Sequence, residues 1–175
     1  MNYSFIQATT AETAQIWTIL QQAIIRRKND GSEQWQDGYP NLDVVQKDIE
    51  KGAGFLLMEG RSIIGYCAVL INDEPEYENI KGKWLSNKDF VVFHRFVISE
   101  NYLGKGWSIK MIKLIENFAR ENGVYSIKVD TNFDNHAMLS IFEKLGYSYC
   151  GKVYFRGSER KAYEKLLPRT TEKLL

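Results

Sequence analysis

Apolar residues recur along this chain in two rhythms, every second position in some stretches and every third or fourth in others. Asn2 to Gln7 reads as a short strand, and Thr9-Thr10-Ala11-Glu12 fits a capping box with Thr9 as cap. The helix that follows runs to about Lys28, with Ile16, Ile19, Leu20, Ala23 and Ile24 on its apolar face. Asn29-Asp30-Gly31-Ser32 stops it. Glu33 to Pro40 is an aromatic loop without periodicity. Asn41 then caps a second helix, with Leu42, Val45 and Ile49 on one face, which ends at Gly52. Gly54–Glu59 and Ser62–Ile71 are apolar runs around Gly60-Arg61, a hairpin signal. A long polar loop, Asn72 to Lys88, leads into Phe90–Ser99, which is dominated by Val, Phe and Ile and reads as a buried strand.

From Trp107 a helical period returns, with Ile109, Ile112, Ile115, Phe118 and Ala119 close to one face, and it ends near Asn122-Gly123. Tyr125–Thr131 alternates Ile127 and Val129 against Lys128 and Asp130, the mark of a strand. Asp134 or Asn135 starts a helix through Lys144, with Gly146 as its C-cap. Tyr147–Arg156 and Lys161–Leu167 close the chain as strands around Gly157-Ser158. The order β α α β β β α β α β β is α+β in character and predicts three layers, a mixed sheet flanked by helices on both faces. At 175 residues, with neither repeat nor linker, one domain is expected over 1–168, with a short polar tail at 169–175.

Charge narrows the picture. Lys plus Arg number 23 against 22 for Asp plus Glu, which argues against a nucleic-acid module built on a broad basic field. Cys67 and Cys150 have no ligand-spaced partners, so no metal is expected and both read as buried thiols. The N-terminus lacks a basic start followed by an apolar run, and no stretch approaches a membrane span. A soluble, cytoplasmic protein is the expectation that these exclusions leave.

The candidate chemistry lies between the Phe90–Ser99 strand and the helix beginning at Trp107. Gly104-Lys105-Gly106 joins them. A glycine turn opening a helix suits an anion, because the first turn has unpartnered N–H groups and a partial positive charge. Alone, it fits an ordinary strand-to-helix turn better. Neither G-x-x-x-x-G-K-[ST] nor G-x-G-x-x-G is present, since Ile109 stands where a third glycine belongs.

Two segments in register sharpen this. Asn101-Tyr102-Leu103-Gly104-Lys105-Gly106 resembles the Q/R-x-x-G-x-G/A signature of the GNAT superfamily, the GCN5-related N-acetyltransferases, with Asn101 departing from Gln or Arg. Asn135 to Tyr147 resembles that family's N-x-x-A-x-x-x-Y-E-K-L-G-F segment, with Met138 for Ala and Phe142 for Tyr. The resemblance covers roughly Gly54 to Leu167. It implies the GNAT-like fold with a mixed, mostly antiparallel sheet, acetyl-CoA as cosubstrate, and transfer of the acetyl group to a primary amine by direct attack. It implies that Leu103, Gly104, Lys105, Gly106, Trp107 and Ser108 hold the pyrophosphate. Phe96, Val97, Ile98 and Ser99 would offer main-chain groups to the pantetheine arm, and Asn135 is either a further contact or a helix N-cap.

For the reaction itself, an attacking amine must be neutral, so a base is needed. His94, Glu74, Glu76 and Asp130 have suitable chemistry; His94 and Glu74 come first, and each of these two also reads as an ordinary packed or solvated side chain. The usual tyrosine acid is Phe142, so another tyrosine, with Tyr147 the first candidate, or solvent must protonate the thiolate. Acceptor contacts are expected from Trp35, Tyr39, Glu76, Tyr77, Trp84 and Asp130, through charge and cation–π attraction. Arg95 and Asp130 are alternatively expected to form an ion pair between neighbouring strands. The expected partners are a small-molecule or peptide amine, with neither nucleic acid nor membrane, and a homodimer is possible because the family often pairs through sheet edges. Phe142 keeps open a rival, a catalytically weak acyl-CoA-binding or regulatory module on the same fold. An α+β protein unrelated to acetyl-CoA is the remaining alternative.

Overall fold

The first helix is entered through a reciprocal cap. Thr9 N–H donates to Glu12 Oε2 at 2.7 Å while Ala11 N–H donates to Thr9 Oγ1 at 3.3 Å, closing the capping box the sequence predicts. In this computed structural model, which describes residues 2–169, the box caps a 3-10 turn, Thr10–Glu12, and α1 proper spans Thr13–Asn29. α2 (Leu42–Glu50) starts on Asn41, whose Oδ1 accepts from Val44 N–H at 3.0 Å. The strands are β1 (Tyr3–Gln7), β2 (Gly54–Glu59), β3 (Ser62–Ile71), β4 (Lys81–Gly82), β5 (Val91–Ile98), β6 (Ser126–Asn132), β7 (Ser148–Phe155) and β8 (Ser158–Leu166). The remaining helices are α3 (Trp107–Glu121) and α4 (His136–Lys144). The sheet has eight strands in the order β1-β2-β3-β5-β6-β8-β7-β4, mixed and mostly antiparallel, with β5 and β6 parallel. Of the expected 169–175 tail, all from residue 170 onward lies outside the described residues.

Two compact units divide the chain. The first comprises residues up to Val69 together with Phe93–Ile112. β1 and β2 pair antiparallel, and β2 and β3 form the hairpin, with a register shift between Leu57 and Met58. Ile16, Leu20 and Ala23 of α1 and Val45 of α2 are fully buried with Leu56 and Tyr66 of β2 and β3. Burying each large apolar side chain is worth about 1.5–3 kcal/mol, and this stripe-on-sheet packing converts the two hydrophobic periods into a core. Gly65 is required by close approach. A Cβ there would stand 2.8 Å from Val97 O and 2.9 Å from Met111 Sδ.

The second unit comprises Leu70–Val92 and the chain from Lys113 onward. β6 pairs antiparallel with β8 along its whole length, from Ser126↔Leu166 to Asn132↔Arg160. β7 closes on β8, and the short β4 lies on β7. The ladder between β5 and β6 consists of Val91↔Ile127 and Val92↔Lys128. The long polar loop from Asn72 to Lys88 contains a 3-10 turn, Pro75–Asn79, whose Tyr77 packs among Trp84, Phe90 and Phe155 at ring separations of 5.0, 6.1 and 6.3 Å. Among the described residues, no helix is long and apolar enough to cross a membrane, and no three His, Cys, Asp or Glu side chains gather to hold a metal ion.

Candidate active site

In the first unit the site begins where β5 stops behaving as a plain strand. Burial along Val91–Ile98 is continuous except at His94 and Arg95, both half-buried. Arg95 has φ +52°, a left-handed conformation that costs a non-glycine residue about 1–2 kcal/mol. The side chain is held firmly. Arg95 Nε donates to Asp48 Oδ2 at 2.7 Å and Nη2 to Asp48 Oδ1 at 2.6 Å, a bidentate fork. A third donor, the Tyr66 hydroxyl, reaches Asp48 Oδ2 at 2.7 Å, and Arg95 Nη1 donates to the Tyr39 hydroxyl. Burial works against the Arg95 charge, but the Tyr39 phenol and the Asp48 carboxylate outweigh it and raise the pKa. Burial and then Asp48 push the Tyr66 phenol up, so it stays a donor. The expected Arg95–Asp130 pair is therefore corrected, because Arg95 is committed to Asp48. Sequence reading passed over Asp48, yet the signal was there: it falls three residues after Val45, on the buried stripe of α2.

At the end of β5, Phe96, Val97 and Ile98 are buried, and just after it Ser99 N–H donates to Ile64 O at 2.8 Å. Leu103, Gly104, Lys105 and Gly106 are exposed, Trp107 is buried and Ser108 is half-buried. Gly104 and Gly106 both have left-handed backbone, φ +72° and +79°, and a Cβ on either would meet nothing within 4 Å. The α3 ladder starts with Lys110 N–H donating to Gly106 O at 3.3 Å, so Trp107, Ser108 and Ile109 N–H groups have no acceptor within the helix. Lys105 Nζ donates to Asn101 O at 2.9 Å, which keeps its charge beside the turn. Open space in front of two glycines, free amides and a cation together fit a diphosphate.

The second unit holds the other candidates. Asn135 is a helix cap, its Oδ1 accepting from Met138 N–H at 3.3 Å. Tyr77 is buried and its hydroxyl donates to Asp130 Oδ1 at 2.5 Å, which gives Asp130 a structural partner. Trp84 is half-buried and its Nε1 donates to Tyr77 O at 2.9 Å. Glu74 is half-buried at the start of the 3-10 turn, and Glu76 is exposed. Tyr147 is buried, and its hydroxyl donates to Glu116 Oε1 at 3.1 Å, where Lys165 Nζ also donates at 2.8 Å. Burial and then Glu116 raise its pKa, leaving the proton tightly held. Phe142 is 1% exposed between the Tyr147 and Tyr163 rings at 5.5 and 5.4 Å. Among the loop aromatics of the first unit, Trp35 is buried with Arg27 4.0 Å above its ring, and Tyr39 serves Arg95.

Comparison with known proteins names the class. The model of the Acetyltransferase (GNAT) family matches residues 16–147, and the chain belongs to that family. A GNAT-family acetyltransferase from Streptococcus agalactiae 2603 has a similar crystal structure, with a TM-score of 0.86. The two are 33% identical, covering 95% of this chain and 96% of that one. Bacillus subtilis strain 168 has a relative described as the uncharacterized N-acetyltransferase YesJ, 21% identical over 126 residues, 71% of this chain and 69% of that protein. The fold is shared with yncA of Salmonella typhimurium, solved with its cofactor acetyl-CoA, at a TM-score of 0.69 and 15% identity over 97% of this chain and 96% of that one. The protein is thus an acetyltransferase.

Proposed function

We propose that the protein moves the acetyl group of acetyl-CoA to a primary amine of a small molecule or peptide by direct attack. The observation that carries this reading is the turn after β5, where Gly104 and Gly106 face open space and lead into the unpartnered amides of α3. Residues Leu103–Ser108 hold the diphosphate, and the main chain of Phe96–Ser99 holds the pantetheine amides. Acetyl-CoA supplies an activated carbonyl and a thiolate leaving group, whose parent thiol class ionises near pH 8.5. A backbone N–H at Phe96 or Val97 stabilises the charge that develops on the carbonyl oxygen.

His94 or Glu74 takes the proton from the attacking amine. Solvent returns one to the leaving thiolate, since Phe142 has none to give and the Tyr147 hydroxyl is engaged with Glu116. Release of free thiol from acetyl-CoA across a panel of polyamines, amino acids, aminoglycosides and peptide N-termini tests the reading. His94→Gln and Glu74→Gln are assayed beside the wild type for loss of kcat at neutral pH, and a base is unassigned to either residue if both keep the wild-type rate. A ligand that binds only the folded chain raises its melting temperature. No shift with saturating acetyl-CoA would sink the proposal.

A further inference from the structure

Lys128, on β6, is 5% exposed, and it faces Glu164 across the β6/β8 ladder. An ion pair is the obvious outcome, and it does not form. Glu164 is fully buried and takes its hydrogen bonds elsewhere, from Ser126 Oγ at 2.7 Å, Ser86 Oγ at 2.8 Å, Leu85 N–H at 2.5 Å and Ser86 N–H at 3.3 Å. No hydrogen bond or ion pair reaches the Lys128 ammonium from any described residue. It rests between the rings of Trp84 and Phe90, 4.8 and 4.6 Å from their centroids. Ring faces compensate a buried cation only in part. Burial accordingly lowers the Lys128 pKa, and the Glu164 charge offsets some of that.

What the ammonium lacks is an anion, and beside it there is room for one. Lys128, Trp84, Phe90 and Ser86 line a cavity of about 620 Å³, with Glu74 and Glu78 also on its wall. That volume is in the range of small-molecule sites, roughly 300–1,000 Å³. The wall is pre-formed. Glu164 fastens Leu85 and Ser86, the Trp84 indole is tied to Tyr77, and Tyr77 is tied to Asp130.

We propose that this cavity takes the acceptor and that the acceptor is an amino-carboxylate of amino-acid size, its carboxylate paired with the Lys128 ammonium. The carboxylate answers the unmatched cation, and the acidic wall suits the amine at the other end of the same small molecule. This rests on the acetyl-transfer reading above. A carboxylate lost from a charge-assisted hydrogen bond changes binding by about tenfold or more.

The test compares each common L-amino acid with its own primary amide, a near-isostere without the charge. Free-thiol release gives kcat/KM for each. The expected result is at least one pair in which the acid exceeds the amide by about tenfold, a ratio that falls to about one in Lys128→Met and persists in Lys128→Arg. Amides turned over as well as acids, or a preference that survives Lys128→Met, overturns the inference while leaving amine acetylation standing. If no amine of any kind is acetylated, the reaction reading fails first, and the site is then judged on melting temperature alone. Amino acids that stabilise the wild type and not Lys128→Met uphold it, and amino acids that stabilise neither overturn it.

Discussion

Arg95 and Lys128 are both cations carried on strands, one in each unit, and both are largely withdrawn from water, yet their neighbours treat them oppositely. Arg95 meets a carboxylate in bidentate geometry, with Tyr66 and Tyr39 completing the network. Lys128 has a carboxylate across the ladder that is saturated by neutral donors instead. The difference teaches how to separate structural charge from functional charge. A fully matched buried pair holds backbone in place, here the left-handed residue of β5. A buried cation left unmatched beside a cavity is destabilising unless something else supplies the counter-charge.

Substitutions can break that contrast. The largest effect is expected from Asp48→Ala, which strands the Arg95 guanidinium and the Tyr66 hydroxyl at once. Loss of a partner in a buried pair costs about 3–5 kcal/mol, measurable by urea denaturation. A loss below about 1 kcal/mol would mean that Arg95 is not held in the way described. Glu164→Ala comes next, at about 2–3 kcal/mol, because it leaves donors on Ser126, Ser86 and Leu85 without an acceptor. Hydrogen exchange at Leu85 and Ser86 should quicken in that variant, and unchanged protection would show that the loop is held by other contacts.

Lys128→Met should do far less. The methionine keeps most of the stem and no hydrogen-bonded partner is orphaned, so stability should stay within about 1 kcal/mol of the wild type or rise. A large loss would place Lys128 with Arg95 as a structural cation.

The smallest signal is in pH. Because folding lowers the Lys128 pKa, the unfolded chain holds that proton more tightly, and the charged form costs stability at neutral pH. The cost fades as pH rises through the folded-state pKa toward the ordinary lysine value of 10.5. Any stability advantage of Lys128→Met at pH 7 should therefore shrink by pH 10. A constant difference would mean that Lys128 titrates alike folded and unfolded.

Much of the frame was legible along the chain. The Thr9/Glu12 box, the Asn41 cap and the Gly60-Arg61 hairpin follow from turn and cap chemistry that acts within a few residues. Asn135 was read as a cap or a ligand contact, and its Oδ1 caps Met138. The Gly104–Gly106 turn needed only the glycine pattern and the helix behind it. The charged residues were harder. Lys128 reads as the polar half of an alternating strand, and only the return of Trp84 and Phe90 over it makes it buried. Asp130 reads as a partner for Arg95, but the left-handed turn at Arg95 and the approach of Tyr77 give each another partner.

The sequence by itself determined where helices and strands begin, which faces turn inward and where glycine must stand, because period, capping and backbone sterics are local. Only the tertiary structure decided which charges are matched. Arg95 finds Asp48 across 47 positions, and Glu164 finds Leu85 across 79. Coulomb attraction and hydrogen bonding depend on distance in space, which no spacing along the chain records.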